Sequence, residues 1–301
     1  MSDIKLFRIA GATAKEIHGA ASNLEKPLQT LIEANLETLL GIRFLATEHS
    51  TGKAHRGRID TLGLDENQCP VIIEYKRTIQ QNIINQGLSY LNWLMDHQGE
   101  FKLLVLDRFG KTPANNIDWT SPRLICIAAD FTKFDSDAVE QMNRSIELVR
   151  YRQFGEDLLL LELVNAVVAD TPGGKKSKNA KNTAPDRSVA EWLTELTPTV
   201  REILDALERY TISLGDDVQR KDLKLYVAFK RLRNFATVCF QKNNLVVYLH
   251  IDPDRISMVD GFSRDVRKIG HWGTGTTLQI QITRRRAFRS RHRRNPHDHA
   301  A

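Results

Sequence analysis

Arg58-Ile59-Asp60-Thr61-Leu62-Gly63-Leu64-Asp65, Glu66-Asn67-Gln68 and Pro70-Val71-Ile72-Ile73-Glu74-Tyr75-Lys76-Arg77 decide the reading of this 301-residue chain. The two outer segments read as strands, the second rich in β-branched residues, and the polar triplet between them reads as their turn. A hairpin centred near Asn67 sets Asp60 opposite Glu74, where facing Cβ atoms lie about 5 Å apart on one face of a sheet. Lys76, two residues beyond Glu74, joins that face because side chains alternate along a strand, and Ile73 and Tyr75 then point the other way.

Two carboxylates held that close repel each other unless a cation lies between them. An all-oxygen pair with open positions is what Mg²⁺ or Mn²⁺ prefers. Such an ion polarises a phosphoryl oxygen and lowers the pKa of bound water, and Lys76 is suited to orient that water or to neutralise charge developing at phosphorus. A surface hairpin with an ordinary Glu74–Lys76 ion pair has the same letters, so the flanking chain must discriminate.

Upstream, Ser22-Asn23-Leu24-Glu25 has the form of a capping box. Leu24, Leu28, Leu31, Ile32, Leu39 and Leu40 then recur at helical spacing up to Gly41, a suitable residue just past a helix end. Glu33 and Glu37 lie one turn apart on this helix, and either is a candidate further acid for the hairpin, although a solvated acidic face has the same pattern. Downstream, Asn82 to Asp96 carries a helical stripe of Ile83, Ile84, Leu88, Leu91, Leu94 and Met95, with Gln86 and Tyr90 sharing one face.

These segments resemble the restriction-endonuclease-like, or PD-(D/E)XK, nuclease superfamily, and within it the NucS-like endonuclease domains. The likeness is carried by Gly57-Arg58-Ile59-Asp60, by Val71-Ile72-Ile73-Glu74-Tyr75-Lys76-Arg77 and by the RecB-type Gln86-Gly87-Leu88-Ser89-Tyr90-Leu91, in family order. It implies a restriction-endonuclease-like α/β core, a mixed sheet flanked by helices. It also implies Mg²⁺ or Mn²⁺ held by Asp60, Glu74 and the helix acid Glu37, with Lys76 activating water or stabilising charge. Gln86 and Tyr90, with Arg58, are implied to position the substrate strand or a metal-bound water. Tyr75 departs from the small or aliphatic residue usual between the acid and the lysine, and is expected to alter packing on the far face.

Phe101 to Asp107 and Arg123 to Ala128 read as buried strands, Ser136 to Asn143 as a short helix, and Ile146 to Arg150 and Leu158 to Val164 as further strands. The first domain is expected over residues 1–168. Residues 169–187, rich in Pro, Gly, Asn, Ser, Thr and Lys, read as a flexible linker. A smaller α+β domain is expected over 188–282, with helices at Val189 to Leu193 and Val200 to Arg209 and strands at Leu225 to Phe229, Thr237 to Phe240 and Leu245 to Leu249. Within it, Phe229-Lys230-Arg231-Leu232-Arg233-Asn234-Phe235 interleaves bases with aromatics, as a single-strand-binding surface does and as a half-buried basic strand also does. With Gly270-His271-Trp272-Gly273-Thr274-Gly275, this region resembles an uncharacterised module that often follows NucS-like nuclease domains.

The net charge of +6 is a weak pointer to nucleic acid, because residues 283–301 hold seven arginines and one aspartate and contribute all of it. The other 282 residues carry 36 basic and 36 acidic groups, so a nucleic-acid surface on the folded domains has to be local. The tail reads as a disordered basic arm that raises salt-sensitive affinity, or as out-of-frame sequence after Ile282. Leu158 to Ala169 is the longest apolar stretch and falls far short of the roughly 20 residues a membrane span needs. The start of the chain lacks secretory-signal features, so a cytoplasmic location is expected. Cys69, Cys126 and Cys239 are isolated and suggest neither a disulfide framework nor a zinc site.

The resulting expectation is a Mg²⁺- or Mn²⁺-dependent deoxyribonuclease, an endonuclease in DNA repair, acting on DNA with single-stranded, branched or mismatched features, with nucleic acid as partner, no membrane association and a possible homodimer. A non-catalytic nucleic-acid-binding protein, and a protein-interaction module with a structural hairpin, are the competing readings. The intact acid and lysine motifs favour catalysis over either.

Overall fold

A computed structural model describes residues 4–20, 25–52, 57–76, 83–167, 188–223, 225–241, 243–267 and 278–283. Its backbone divides into two units, Met1–Thr183 with Arg231–Asn234, and Ala184–Lys230 with Phe235–Ala301. In chain order the first forms β1 (Leu6–Ala10), β2 (Thr13–Ile17), β3 (Gly19–Ala20), α1 (Glu25–Ala34), α2 (Leu36–Leu40), β4 (Ile42–Ser50), β5 (Arg58–Asp65) and β6 (Pro70–Lys76). There follow α3 (Ile83–Asp96), α4 (Gln98–Phe109), α5 (Lys111–Asn115), β7 (Arg123–Ala128), α6 (Lys133–Glu140), β8 (Ser145–Phe154) and β9 (Leu158–Val167).

The main sheet runs in the order β3-β8-β7-β6-β5-β4, with β9 also paired to β8. Strands β4, β5 and β6 form an antiparallel meander, whereas β6, β7 and β8 are parallel and are linked through helical crossovers. The unit is therefore a mixed α/β structure, a mixed sheet flanked by helices. Strand β6 shows why the sheet needs cover on both faces. Val71, Ile73 and Tyr75 pack with Leu28, Ile32 and Leu36 on one side, and Ile72 packs with Leu91, Leu94 and Phe101 on the other. Each such side chain contributes about 1.5–3 kcal/mol on burial. Glu74 is carried into the same buried strand.

Several expectations are corrected by this fold. Phe101 to Asp107 is helical, within α4, because its fully buried residues are Phe101 and Val105, one helical turn apart, while Leu103 faces solvent. An unbroken apolar run without β-branched enrichment does not distinguish the two periods. The long helix ending at Gly41 is two helices: Asn35 breaks it, and Gly41, with φ 67°, closes the second in the left-handed conformation. Helix α6 begins at Lys133, set by a Thr132–Asp135 capping box. Strand β4 and the largely exposed β1–β2 hairpin have no counterpart in the sequence reading. The capping box at Ser22 to Glu25, the 169–187 segment, Gly270 to Gly275 and the basic tail lie wholly or mostly outside the described residues.

The second unit contains α7 (Val189–Glu195), α8 (Pro198–Ile212), β10 (Gln219–Asp222), β11 (Tyr226–Lys230), β12 (Asn234–Gln241), β13 (Asn244–Leu249), β14 (Ser263–Asp265) and β15 (Leu278–Thr283). Its sheet order is β10-β11-β12-β13-β15-β14. Phe229 is fully buried and Phe235 is packed against the same apolar cluster as Val200, Leu204, Val238 and Val247. These two aromatics belong to a core and are not displayed for stacking.

Candidate functional site

The β5–β6 ladder pairs Leu64 with Pro70, Gly63 with Val71, Leu62 with Ile72 and Thr61 with Ile73. Beyond Thr61 the side chains take over the bonding. The backbone N–H of Asp60 donates to Glu74 Oε1 at 3.2 Å, and the backbone N–H of Tyr75 donates to Asp60 Oδ2 at 3.0 Å. Each acid thereby satisfies a backbone donor on the opposite strand, and the two carboxylates are fixed side by side.

Glu74 is fully buried, and its Oε2 has no hydrogen-bond partner among the described residues. Burial, reinforced by the neighbouring Asp60 charge, pushes the Glu74 carboxyl up to about 9. Burial also raises Asp60, against the backbone bond from Tyr75. Lys76 acts on both carboxyls in the opposite sense, and its Nζ lies 3.9 Å from Glu25 Oε1. A buried oxygen without a partner is costly, and beside a second carboxylate it fits a hard, oxygen-seeking cation. Among the described residues no group of three or more His, Cys, Asp or Glu side chains is placed to hold a metal ion. A divalent cation here would find two carboxylates and would need its remaining ligands from water or other oxygens.

Gln86 and Tyr90 come together at the same end of the hairpin. Gln86 Nε2 donates to the Tyr90 hydroxyl at 3.0 Å, and that hydroxyl accepts the backbone N–H of Arg58 at 3.1 Å. Gly57 is required here, since a Cβ would come within 2.5 Å of the Tyr90 ring. The Arg58 side chain is exposed and paired with Glu48 at 3.0 Å. Tyr75 packs on the far face as expected, its hydroxyl 3.4 Å from Thr61 Oγ1.

Glu37 is not brought to the pair. It is exposed on α2 and interacts with Arg43, whose strand partner is Leu64 and whose guanidinium donates to Gln68 in the hairpin turn. The helical segment runs from the open end of the hairpin toward its turn, so twelve residues separate the acid at the site, Glu25, from Glu37. Sequence reasoning missed Glu25, Gln29 and Glu48. Glu25, Gln29 and Glu33 recur every four residues, and extending the Glu33–Glu37 stripe backward would have found the first two. Gln29 is buried and its Nε2 donates to the Asp60 carbonyl at 2.9 Å and to Glu33 at 3.0 Å. Glu33 also accepts the Thr61 hydroxyl at 2.5 Å. The cysteines are thiols, Cys69 and Cys126 buried, and take no part in the pair.

Fold and site together define a mixed α/β unit that fixes an acidic pair and a lysine at the open end of a hairpin, followed by a second unit. The second unit matches a family model described as a domain of unknown function, DUF5655, over residues 190–285. An uncharacterized protein of Haemophilus influenzae (strain ATCC 51907 / DSM 11121 / KW20 / Rd) is 29% identical over 284 residues, spanning 90% of this chain and 92% of the relative. Among solved structures, a repair endonuclease from Pyrococcus abyssi is similar at 18% identity and a TM-score of 0.29, over 44% of this chain. The match spans about half of that protein, 49% of its chain. No helix among the described residues is long and apolar enough to cross a membrane.

Proposed function

We propose that the first unit is a metal-dependent nuclease that hydrolyses phosphodiester bonds in DNA bearing single-stranded, branched or mismatched features, cutting internally. The observation that carries this reading is the buried Glu74 Oε2, without a partner among the described residues, beside the Asp60 carboxylate. Asp60 and Glu74 would hold Mg²⁺ or Mn²⁺, which supplies Lewis-acid polarisation of a phosphoryl oxygen and a more acidic water. Glu74, kept neutral by burial at pH 7, gives up its proton to serve as a ligand. Lys76 donates to the attacking water or to a non-bridging phosphate oxygen. Water adds to phosphorus and releases a proton to solvent, the bond to the leaving ester oxygen breaks, and the departing oxygen takes up a proton from solvent. Gln86 acts through Tyr90, which pins the Arg58 backbone two residues before Asp60.

The test is cleavage of labelled single-stranded, duplex, mismatched and branched DNA, and of RNA, with Mg²⁺ or Mn²⁺. Cutting is expected to vanish with EDTA and in Asp60→Ala, and to fall about 10²–10³-fold in Lys76→Ala, the loss typical of removing one charge-stabilising donor. Cutting that survives in Asp60→Ala would sink the assignment. DNA binding without cutting by the wild type would favour a non-catalytic binding protein.

A further inference from the structure

Lys26 on α1 and Arg58 on β5 are both more than half exposed, at 59% and 68% of their side chains, yet one carboxylate holds both. Glu48 Oε1 lies 2.7 Å from Lys26 Nζ, and Glu48 Oε2 lies 3.0 Å from Arg58 Nε. Glu48 has φ 50°, in the left-handed region, which costs a side-chain-bearing residue on the order of 1–3 kcal/mol. Exposed ion pairs contribute roughly 0–1 kcal/mol each, so the two pairs at best offset that strain and leave little net stability. The register places Thr47 against Thr61 and His49 against Ile59, so Glu48 comes level with Asp60. Lys26 Nζ also donates to Gln29 Oε1 at 3.0 Å, and Gln29 in turn binds the Asp60 carbonyl. Two cations spaced by one anion thus rim the Asp60 segment, an excess of positive charge beside an otherwise acidic site.

We propose that Lys26 and Arg58, spaced by Glu48 and Gln29, form a subsite for a backbone phosphate of the nucleic-acid strand presented to Asp60 and Glu74. The proposal rests on the nuclease reading and adds Lys26, Glu48 and Gln29 to it as positioning residues. Lys26 and Arg58 offer the substrate strand a charge contact that is independent of base sequence, and Glu48 keeps the two cations from dispersing before the strand arrives.

Fluorescence anisotropy of the full-length protein with labelled single-stranded and duplex DNA in EDTA, from about 50 to about 200 mM NaCl, reads this contact as a salt slope. Lys26→Ala and Arg58→Ala are each expected to flatten the slope of log K against log salt in part, and the double variant by about 0.7–0.9, the contribution of one phosphate. Arg58→Lys should retain the slope, and Glu48→Gln should tighten binding without flattening it. The arginines of residues 284–301 contribute equally to every variant and cancel in the difference. A role in packing alone would move the melting temperature and leave the slope unchanged. A double variant with the wild-type slope overturns the subsite while leaving the nuclease reading intact; a wild type that neither binds nor cuts DNA removes both. Where cutting is followed instead, the same differences are expected in the salt dependence of KM.

Discussion

The two ends of the β5–β6 hairpin both bury acidic side chains, and they treat them in opposite ways. At the turn end, Asp65 accepts the backbone N–H groups of Asn67 and Cys69 at 2.9 and 2.8 Å and binds Arg123 at 2.9 Å. The same guanidinium binds Glu147 through Nε at 2.7 Å and Nη2 at 2.9 Å. Asp65 and Glu147 thus share one cation. At the open end Glu74 is buried as deeply, its neighbour is another acid, and one oxygen has no partner among the described residues. At the turn, charge is compensated within the fold; at the open end, burial is met by holding the Glu74 proton, with its carboxyl raised to about 9, a perturbation of the kind that supports the proposed site.

Among single substitutions, the largest loss of stability should come from breaking the compensated end. Arg123→Met leaves Asp65 and Glu147 buried without their cation and is expected to cost about 3–5 kcal/mol. Urea denaturation, with amide exchange of β5 and β6 reporting on the first unit, measures it. Glu74→Gln keeps an acceptor for the Asp60 N–H and removes a buried carboxyl, so it should cost less than about 1 kcal/mol or stabilise. Equal losses in the two variants would abolish the distinction between the ends.

Much of the open end was legible because a strand alternates with period two: Asp60, Glu74 and Lys76 are related by one hairpin register, and Tyr75 falls on the far face by parity. Gln86 and Tyr90 were legible as one helical turn. What escaped was whatever depends on how separate elements meet. The break at Asn35 and the direction of α1 along the hairpin decide that Glu25, and not Glu37, reaches the lysine. Strand β4, which brings Glu48 to the site, carries polar and charged residues among its apolar ones and gives a poor alternation signal. In α4 the misreading came from composition, because Leu and Val side chains in an unbroken run suit a buried strand as well as a helix packed on Phe101 and Val105.

A pH series sharpens the contrast further. The Glu74 carboxyl ionises near 4.5 as a free side chain and at about 9 in the fold, so between these values the folded state holds more protons than the unfolded state. Stability attributable to Glu74 is therefore fully present below about pH 4.5 and is lost as pH rises toward 9, with a slope of at most about 1.4 kcal/mol per pH unit. The raised Asp60 adds to the same slope. Melting in EDTA should show this decline in the wild type and a flatter profile in Glu74→Gln. Mg²⁺ or Mn²⁺ should raise wild-type stability most at the alkaline end, where the ligand no longer has to lose a proton. A wild-type profile as flat as that of Glu74→Gln would mean that Glu74 is already ionised and compensated.

The smallest effect is expected from the neutral hydrogen bonds that brace the open end. Tyr90→Phe keeps the ring against Gly57 and deletes the hydroxyl that accepts from both Arg58 N–H and Gln86. The cost to stability should be about 0.5–1.5 kcal/mol, the usual net value of such a bond. The Arg58 backbone is two residues from Asp60, so loosening it displaces one carboxylate relative to the other, and cleavage should fall by about tenfold, the equivalent of about 1.4 kcal/mol in the barrier. Gln86→Leu removes only the outer bond and should cost less than Tyr90→Phe in both readouts. A Tyr90→Phe loss as large as that of Arg123→Met would show the open end to be clamped as tightly as the turn, and would count against the proposal that it admits an ion and a strand.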